Sequence, residues 1–231
     1  MTTRWIEIDA GAGERYDGYL ALPRAGKGPG VIIVQEIFGV NAHIRSVAEQ
    51  YALAGYVALA PDIFWRAERR VELGYEGADR DKALALLKNI DANQAAADLG
   101  AAAKALRALP ETAGKVGAVG FCFGGQLAYL MAARGTVDAA VAYYGGGIQN
   151  KLDEAPNVRV PMLFHYAEHD SSIPQAAVAQ VRQSFAGRAN AQFHEYPGVG
   201  HGFNCSDRSA YDQHASALAH GRTLEFLSSN L

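Results

Sequence analysis

The sequence predicts an α/β protein with a mostly parallel sheet and helices on both faces. Three observations carry this. Short, continuously apolar runs such as "VIIV" (Val31–Val34) and "KVGAVG" (Lys115–Gly120) are too short for helices. They also lack the alternation of half-exposed strands, which is the pattern of parallel strands covered on both sides. Segments with helical spacing alternate with these runs. Finally, 231 residues, 49% hydrophobic and 19% charged, are ordinary for one globular domain able to bury a large core. No repeat or Gly/Ser/Pro-rich linker divides the chain, so residues 1–231 read as a single domain.

The elements follow in order. Trp5–Ile8 and Tyr16–Ala21 flank a turn-rich "DAGAGE" and read as an opening hairpin. Val31–Val34 is the first fully buried strand. Asn41–Ala54 is amphipathic, with Ile44, Val47, Ala48 and Tyr51 on one face and Gly55 marking its end. Tyr56–Phe64 reads as a second buried strand. Asp79–Leu87 and Asn93–Leu109 read as helices, the latter stopped by Pro110. Lys115–Gly120 is a strand, followed by a sharp turn and a helix reaching Arg134. Asp138–Gly147 and Val160–Asp170 carry two more strands. Gln175–Phe185 is a helix, Ala191–Phe203 a last strand and loop, and Tyr211–Leu227 the closing helix.

Composition excludes several classes of function. The formal net charge is −3 with no run of like charges, so nothing suggests capture of nucleic acid or an anionic membrane. The N-terminus has no apolar core of signal-peptide length, and no apolar stretch approaches a bilayer span. A cytoplasmic protein is expected. A monomer is also expected, because one such domain buries its own core. The two cysteines, Cys122 and Cys205, make neither a disulfide framework nor a CxxC metal motif.

Cys122 lies in "GFCFGG", where a strand must turn directly into a helix. Gly-x-Cys-x-Gly in that context is the nucleophile-elbow pattern with Cys in place of Ser. The strained turn needs small neighbours, which Gly120 and Gly124 supply. The helix that starts at once favours a thiolate at its N-terminus, and the Phe123 N–H is placed to meet a developing oxyanion. The competing reading is a buried thiol that merely fills space among packing glycines.

The elbow predicts a later acid and then a later histidine, each on a loop after a strand. Asp170 ends "MLFHYAEHD" and His201 lies in "PGVGHGF"; both fit. His165 and His194 fall within strand patterns, His169 adjoins Asp170, and His43, His214 and His220 fall on helices as expected surface residues. Asp62 in "APDIF" is a rival acid but precedes the cysteine. Glu36 follows a buried strand and precedes apolar Ile37 and Phe38; a carboxylate there is costly unless it is paired or faces a cleft.

With these residues in view, the chain resembles the dienelactone hydrolase (carboxymethylenebutenolidase) family of the α/β-hydrolase fold. The resemblance rests on "QEIFGVNAHIR" (Gln35–Arg45), "GYVALAPDIF" (Gly55–Phe64), "GKVGAVGFCFGG" (Gly114–Gly125), "AVAYYG" (Ala140–Gly145), "HD" at His169–Asp170 and "GHGF" (Gly200–Phe203). It implies Cys122 as nucleophile, His201 as base, Asp170 as orienting acid, and Glu36 as the group that contacts the resting thiol and helps ionise it. Ile37 N–H would join Phe123 N–H in the oxyanion hole. The implied substrate is an enol-lactone whose carboxylate meets two arginines, the first matching Arg80. The second falls at Cys205, with Arg208 nearby but displaced; a neutral thiol cannot replace a guanidinium. Phe38 and Tyr144 are expected as pocket walls.

A thiolate is a good leaving group as well as a good nucleophile, so it loses the contest for expulsion only to stabilised leaving groups. Activated esters or lactones, not peptides, are therefore expected. No metal or organic cofactor is expected, because triad order accounts for Cys122, His201 and Asp170. Two alternatives stand beside the enol-lactone reading: hydrolysis of other, neutral activated esters or lactones, and a non-catalytic ligand-binding or thiol-sensing protein.

Overall fold

A computed structural model describes residues 1–231. The strands are β1 (Thr2–Gly11), β2 (Glu14–Leu22), β3 (Gly28–Val34), β4 (Val57–Pro61), β5 (Thr112–Phe121), β6 (Ala139–Tyr143), β7 (Met162–Ala167) and β8 (Ala191–Tyr196). They form one sheet in the order β1-β2-β4-β3-β5-β6-β7-β8. β1 and β2 form the expected hairpin, and β2 runs antiparallel to β4; every later pairing is parallel. β3, β4, β6 and β7 are buried almost throughout, which is why their sequences read as unbroken apolar runs. β8, at the edge, is only partly covered.

The helices are α1 (Ala42–Leu53), α2 (Gly77–Lys88), α3 (Ala92–Ala108), α4 (Phe123–Ala133), α5 (Gln175–Ser184) and α6 (Gln213–Asn230). Asn41 caps α1 by accepting from Ile44 N, Asp91 caps α3, and Asp212 caps α6. α1 and α6 meet on one face of the sheet, where the Tyr51 and His220 rings lie 5.3 Å apart. α3 and α4 cover the other face. The sheet and helices enclose one core of 72 buried apolar residues. No helix is long and apolar enough to cross a membrane.

Three local readings change. The second buried strand ends at Pro61, because Asp62 turns the chain: its carboxylate accepts from Phe64 N at 3.0 Å and Arg70 N at 2.8 Å. Asp62 is thereby used as a loop acceptor. The last helix starts at Gln213 rather than Tyr211, where Asp212 supplies the cap. His43 is buried rather than exposed, since the inner face of α1 begins with it and its ring lies toward Tyr75.

The strand order decides where chemistry can gather. From β3 the chain steps outward to β4 and then returns past β3 to β5, so connections leave β3 and β5 in opposite directions. Such a switch point opens a crevice beyond the carboxyl ends of the two strands. Val34 pairs with Gly120, so the segment after β3 and the turn after β5 lie side by side there.

Candidate active site

Cys122 stands between β5 and α4 with φ 54° and ψ −120°, a conformation that side chains rarely adopt. Its N–H donates to Tyr143 O at 3.0 Å and its C=O accepts from Gly125 N at 2.9 Å. The glycines around it are required by close approach. A Cβ on Gly120 would lie 1.9 Å from Gly124 O, and one on Gly124 would lie 2.4 Å from the carbonyl oxygens of Val34 and Gln35. The turn thus brings α4 against the end of β3. Phe123 opens α4, and Ile37, on the facing segment, has a backbone N–H that donates to no protein acceptor.

His201 and Asp170 come together on loops after β8 and β7. Nδ1 of His201 lies 2.8 Å from Oδ2 of Asp170. The other oxygen of Asp170 accepts from Ser172 N at 2.8 Å and Ile173 N at 3.0 Å, which fixes the carboxylate. Burial opposes a charge on His201, but the hydrogen bonds and charges of Asp170 and Cys122 outweigh it and raise its pKa to about 10. The other histidines are elsewhere: His165 is buried in a network with Tyr196 and Thr223, and His169 is exposed beside Glu168.

Glu36 is 1% exposed. Its Oε1 accepts from Nη1 of Arg208 at 3.2 Å, and its Oε2 is buried without a partner. Burial raises its pKa, while the charges of Arg208 and His201 pull the other way. Arg208 therefore reaches the cluster despite its displacement in sequence. Two turns bring it back: Cys205 N donates to Gly202 O, and Arg208 N donates to Cys205 O. Gly202, at φ +85°, leaves room for the guanidinium; a Cβ there would lie 2.6 Å from Nη1. Cys205 is buried and its thiol is pushed up to about 12, by burial first and then by the Glu36 charge.

Phe38 is buried, with its ring 4.5 Å from Tyr75 and 6.0 Å from the Arg208 guanidinium. Tyr144 packs its ring 5.0 Å from His201 and 5.4 Å from Phe203. Arg80 is an exposed residue in the first turn of α2, and no side-chain hydrogen bond or ion pair joins it to this cluster. Tyr75 is the contributor that sequence reasoning missed. Its ring packs against Phe38 at a tilt of 59°, lies 5.7 Å from the Arg208 guanidinium, and its hydroxyl accepts from Asn41 Nδ2 at 3.1 Å. It sits in an irregular stretch with no periodic or motif signal. A cavity of about 690 Å³, lined by Asn41, Glu72, Leu73, Tyr75, Glu76 and Asp207 among others, adjoins the cluster at Tyr75.

Residues 16–231 match the model of the dienelactone hydrolase family. The chain is 36% identical over 228 residues to carboxymethylenebutenolidase 1 of Cupriavidus pinatubonensis, covering 98% of this chain and 97% of that one. It is equally similar, over the same shares, to carboxymethylenebutenolidase of Pseudomonas putida. Among solved structures, a Klebsiella pneumoniae protein provisionally described as a dienelactone hydrolase superposes with a TM-score of 0.85 at 30% identity, covering 99% of both chains.

Proposed function

The chain belongs to the dienelactone hydrolase family and is a hydrolase of esters or lactones, and we propose that it opens an activated enol-lactone of the dienelactone type through a cysteine thioester. The observation that carries the mechanism is the His201–Asp170 pair, at 2.8 Å, coupled to a cysteine held in a strained strand-to-helix turn.

In this reading Sγ of Cys122 attacks the lactone carbonyl. The oxyanion is met by the N–H groups of Phe123 and Ile37. The ring C–O bond breaks, the enolate leaves with a proton from His201, and a thioester remains. Water then attacks, giving its proton to His201; the thiolate departs and the product is a carboxylic acid. The raised pKa of His201 fits both steps. With a thiolate beside it the ring is protonated and can act as an acid. Once Cys122 is acylated that charge is gone, and the ring becomes a base. Glu36 takes the thiol proton as substrate arrives. Arg208 binds the substrate carboxylate in exchange for Glu36; Arg80, exposed and unpaired on α2, is the second cation that the family resemblance implies, and Phe38 and Tyr144 wall the pocket.

A second reading, a neutral activated ester, is favoured by one observation: Glu36 already occupies Arg208. Cys122→Ala is expected to lower kcat/KM on an activated ester on the order of 10⁴-fold or more with the fold intact. Retained turnover in the folded variant refutes the cysteine mechanism. Comparing kcat/KM for a dienelactone and for p-nitrophenyl acetate in the unaltered protein decides between the two substrates.

A further inference from the structure

Tyr144 is unusual in two ways at once. Its φ is 36°, in the region that favours glycine, and its hydroxyl is buried with no hydrogen-bond partner. The backbone is pinned there: Tyr144 N donates to His165 O at 2.7 Å, and Tyr143 O holds the N–H of Cys122. The following Gly145 packs closely on the elbow: a Cβ on it would lie 3.2 Å from Gly125 C, and one on Gly125 would lie 2.8 Å from its Cα. A phenylalanine would fill the same space against His201 and Phe203 without an orphaned hydroxyl.

A second orphan of opposite sense lies in the same cluster. Oε2 of Glu36 is an acceptor, buried and unpartnered, while Oε1 depends on Arg208 alone. The charged and titratable groups around this carboxylate are Arg208, His201 and Cys205 from the loop after β8, Tyr75 from the loop before α2, and Tyr144 itself; Cys122, from the turn after β5, neighbours Tyr144, Arg208 and His201. Burial, reinforced by the Glu36 charge, keeps the Tyr144 proton in place, so the hydroxyl is a donor. If a substrate anion draws Arg208 away, a buried carboxylate loses its only partner, a state that proteins tolerate poorly.

We propose that Tyr144 is a positioning residue for Glu36, whose hydroxyl donates to the carboxylate when Arg208 turns to the substrate. The hydrogen bond keeps Glu36 ionised and beside Cys122. This rests on the reading of Arg208 given above.

Arg208→Ala imitates withdrawal of the guanidinium, so the test needs no carboxylated substrate. The pH profile of kcat/KM on p-nitrophenyl acetate is measured for the unaltered protein, Tyr144→Phe, Arg208→Ala and the double variant. Without Arg208, Tyr144→Phe is expected to move the acidic limb upward by about one unit, a tenfold loss of the ionised fraction below it. With Arg208 present the shift is smaller. Equal shifts in both backgrounds, or none, overturn the proposal; the unpartnered amide of Gln35 would then be the donor to examine. A packing role lowers Tm without moving the limb. If the double variant does not fold, Tyr144→Phe is read on a dienelactone against p-nitrophenyl acetate. The larger loss is expected on the dienelactone, and equal losses overturn the proposal. The alkylation rate of Cys122 by iodoacetamide supplies the same pH profile if turnover is absent. Failure of the cysteine mechanism is seen separately, in Cys122→Ala.

Discussion

Gly124→Ala tests the contact on which the proposed oxyanion site depends. The added Cβ would lie 2.4 Å from both Val34 O and Gln35 O, whereas ordinary contact begins at 3.4 Å. Both neighbours are backbone, so no side chain can swing aside. The start of α4 must retreat from the end of β3 by about 1 Å, which separates Phe123 N–H from Ile37 N–H. Misplacement of that size, or loss of one oxyanion donor, lowers kcat on the order of 10²-fold. Overpacking of this kind destabilises by about 1–3 kcal/mol. The assay is kcat/KM on p-nitrophenyl acetate, with urea unfolding alongside. Iodoacetamide alkylation of Cys122 is expected to stay within a few-fold of the parent, since the thiol is untouched. Gly221→Ala is the control: its Cβ meets nothing within 4 Å in the middle of α6, and it should be neutral or slightly stabilising. Parental activity at parental stability in Gly124→Ala refutes the reasoning. Alkylation lost in step with turnover also refutes it, since the turn itself would then have collapsed.

Two further outcomes are expected. His165→Phe leaves the Tyr196 hydroxyl without its 2.8 Å partner, whereas Thr223 keeps its 2.7 Å contact with Tyr143; stability should fall by about 1–3 kcal/mol in urea unfolding, and an unchanged midpoint would show the network to be dispensable. His201 has a folded pKa of about 10 against 6.5 ordinarily, so it stabilises the fold fully below pH 6.5 and ceases to as pH rises through 10. The Tm difference between the parent and His201→Asn should therefore shrink across that interval, and a constant difference would mean that the ring is not held protonated.

Much of the fold was legible because burial on both faces writes itself into composition. β3, β4, β6 and β7 are covered on both sides and so show as unbroken apolar runs. The turn at Cys122 was legible for a related reason: backbone atoms approach within 2.4 Å of where a Cβ would stand, and only glycine fits. Asp170 and His201 could be chosen because strand-end loops follow chain order. His43 was misread because helical spacing shows which residues share a face but not how far that face extends under a neighbouring loop.

By itself, then, the sequence determined the alternation of strand and helix, the glycine-bounded cysteine, and the order of cysteine, acid and histidine. All three are local patterns. What tertiary structure decided was who meets whom across the switch point. Arg208 pairs with Glu36, 172 positions away, only because two turns fold the loop back over Gly202. Tyr75 enters from an irregular segment, and Arg80 stays exposed on α2. Such long-range pairings depend on loop paths in three dimensions, and neither residue type nor spacing along the chain encodes them.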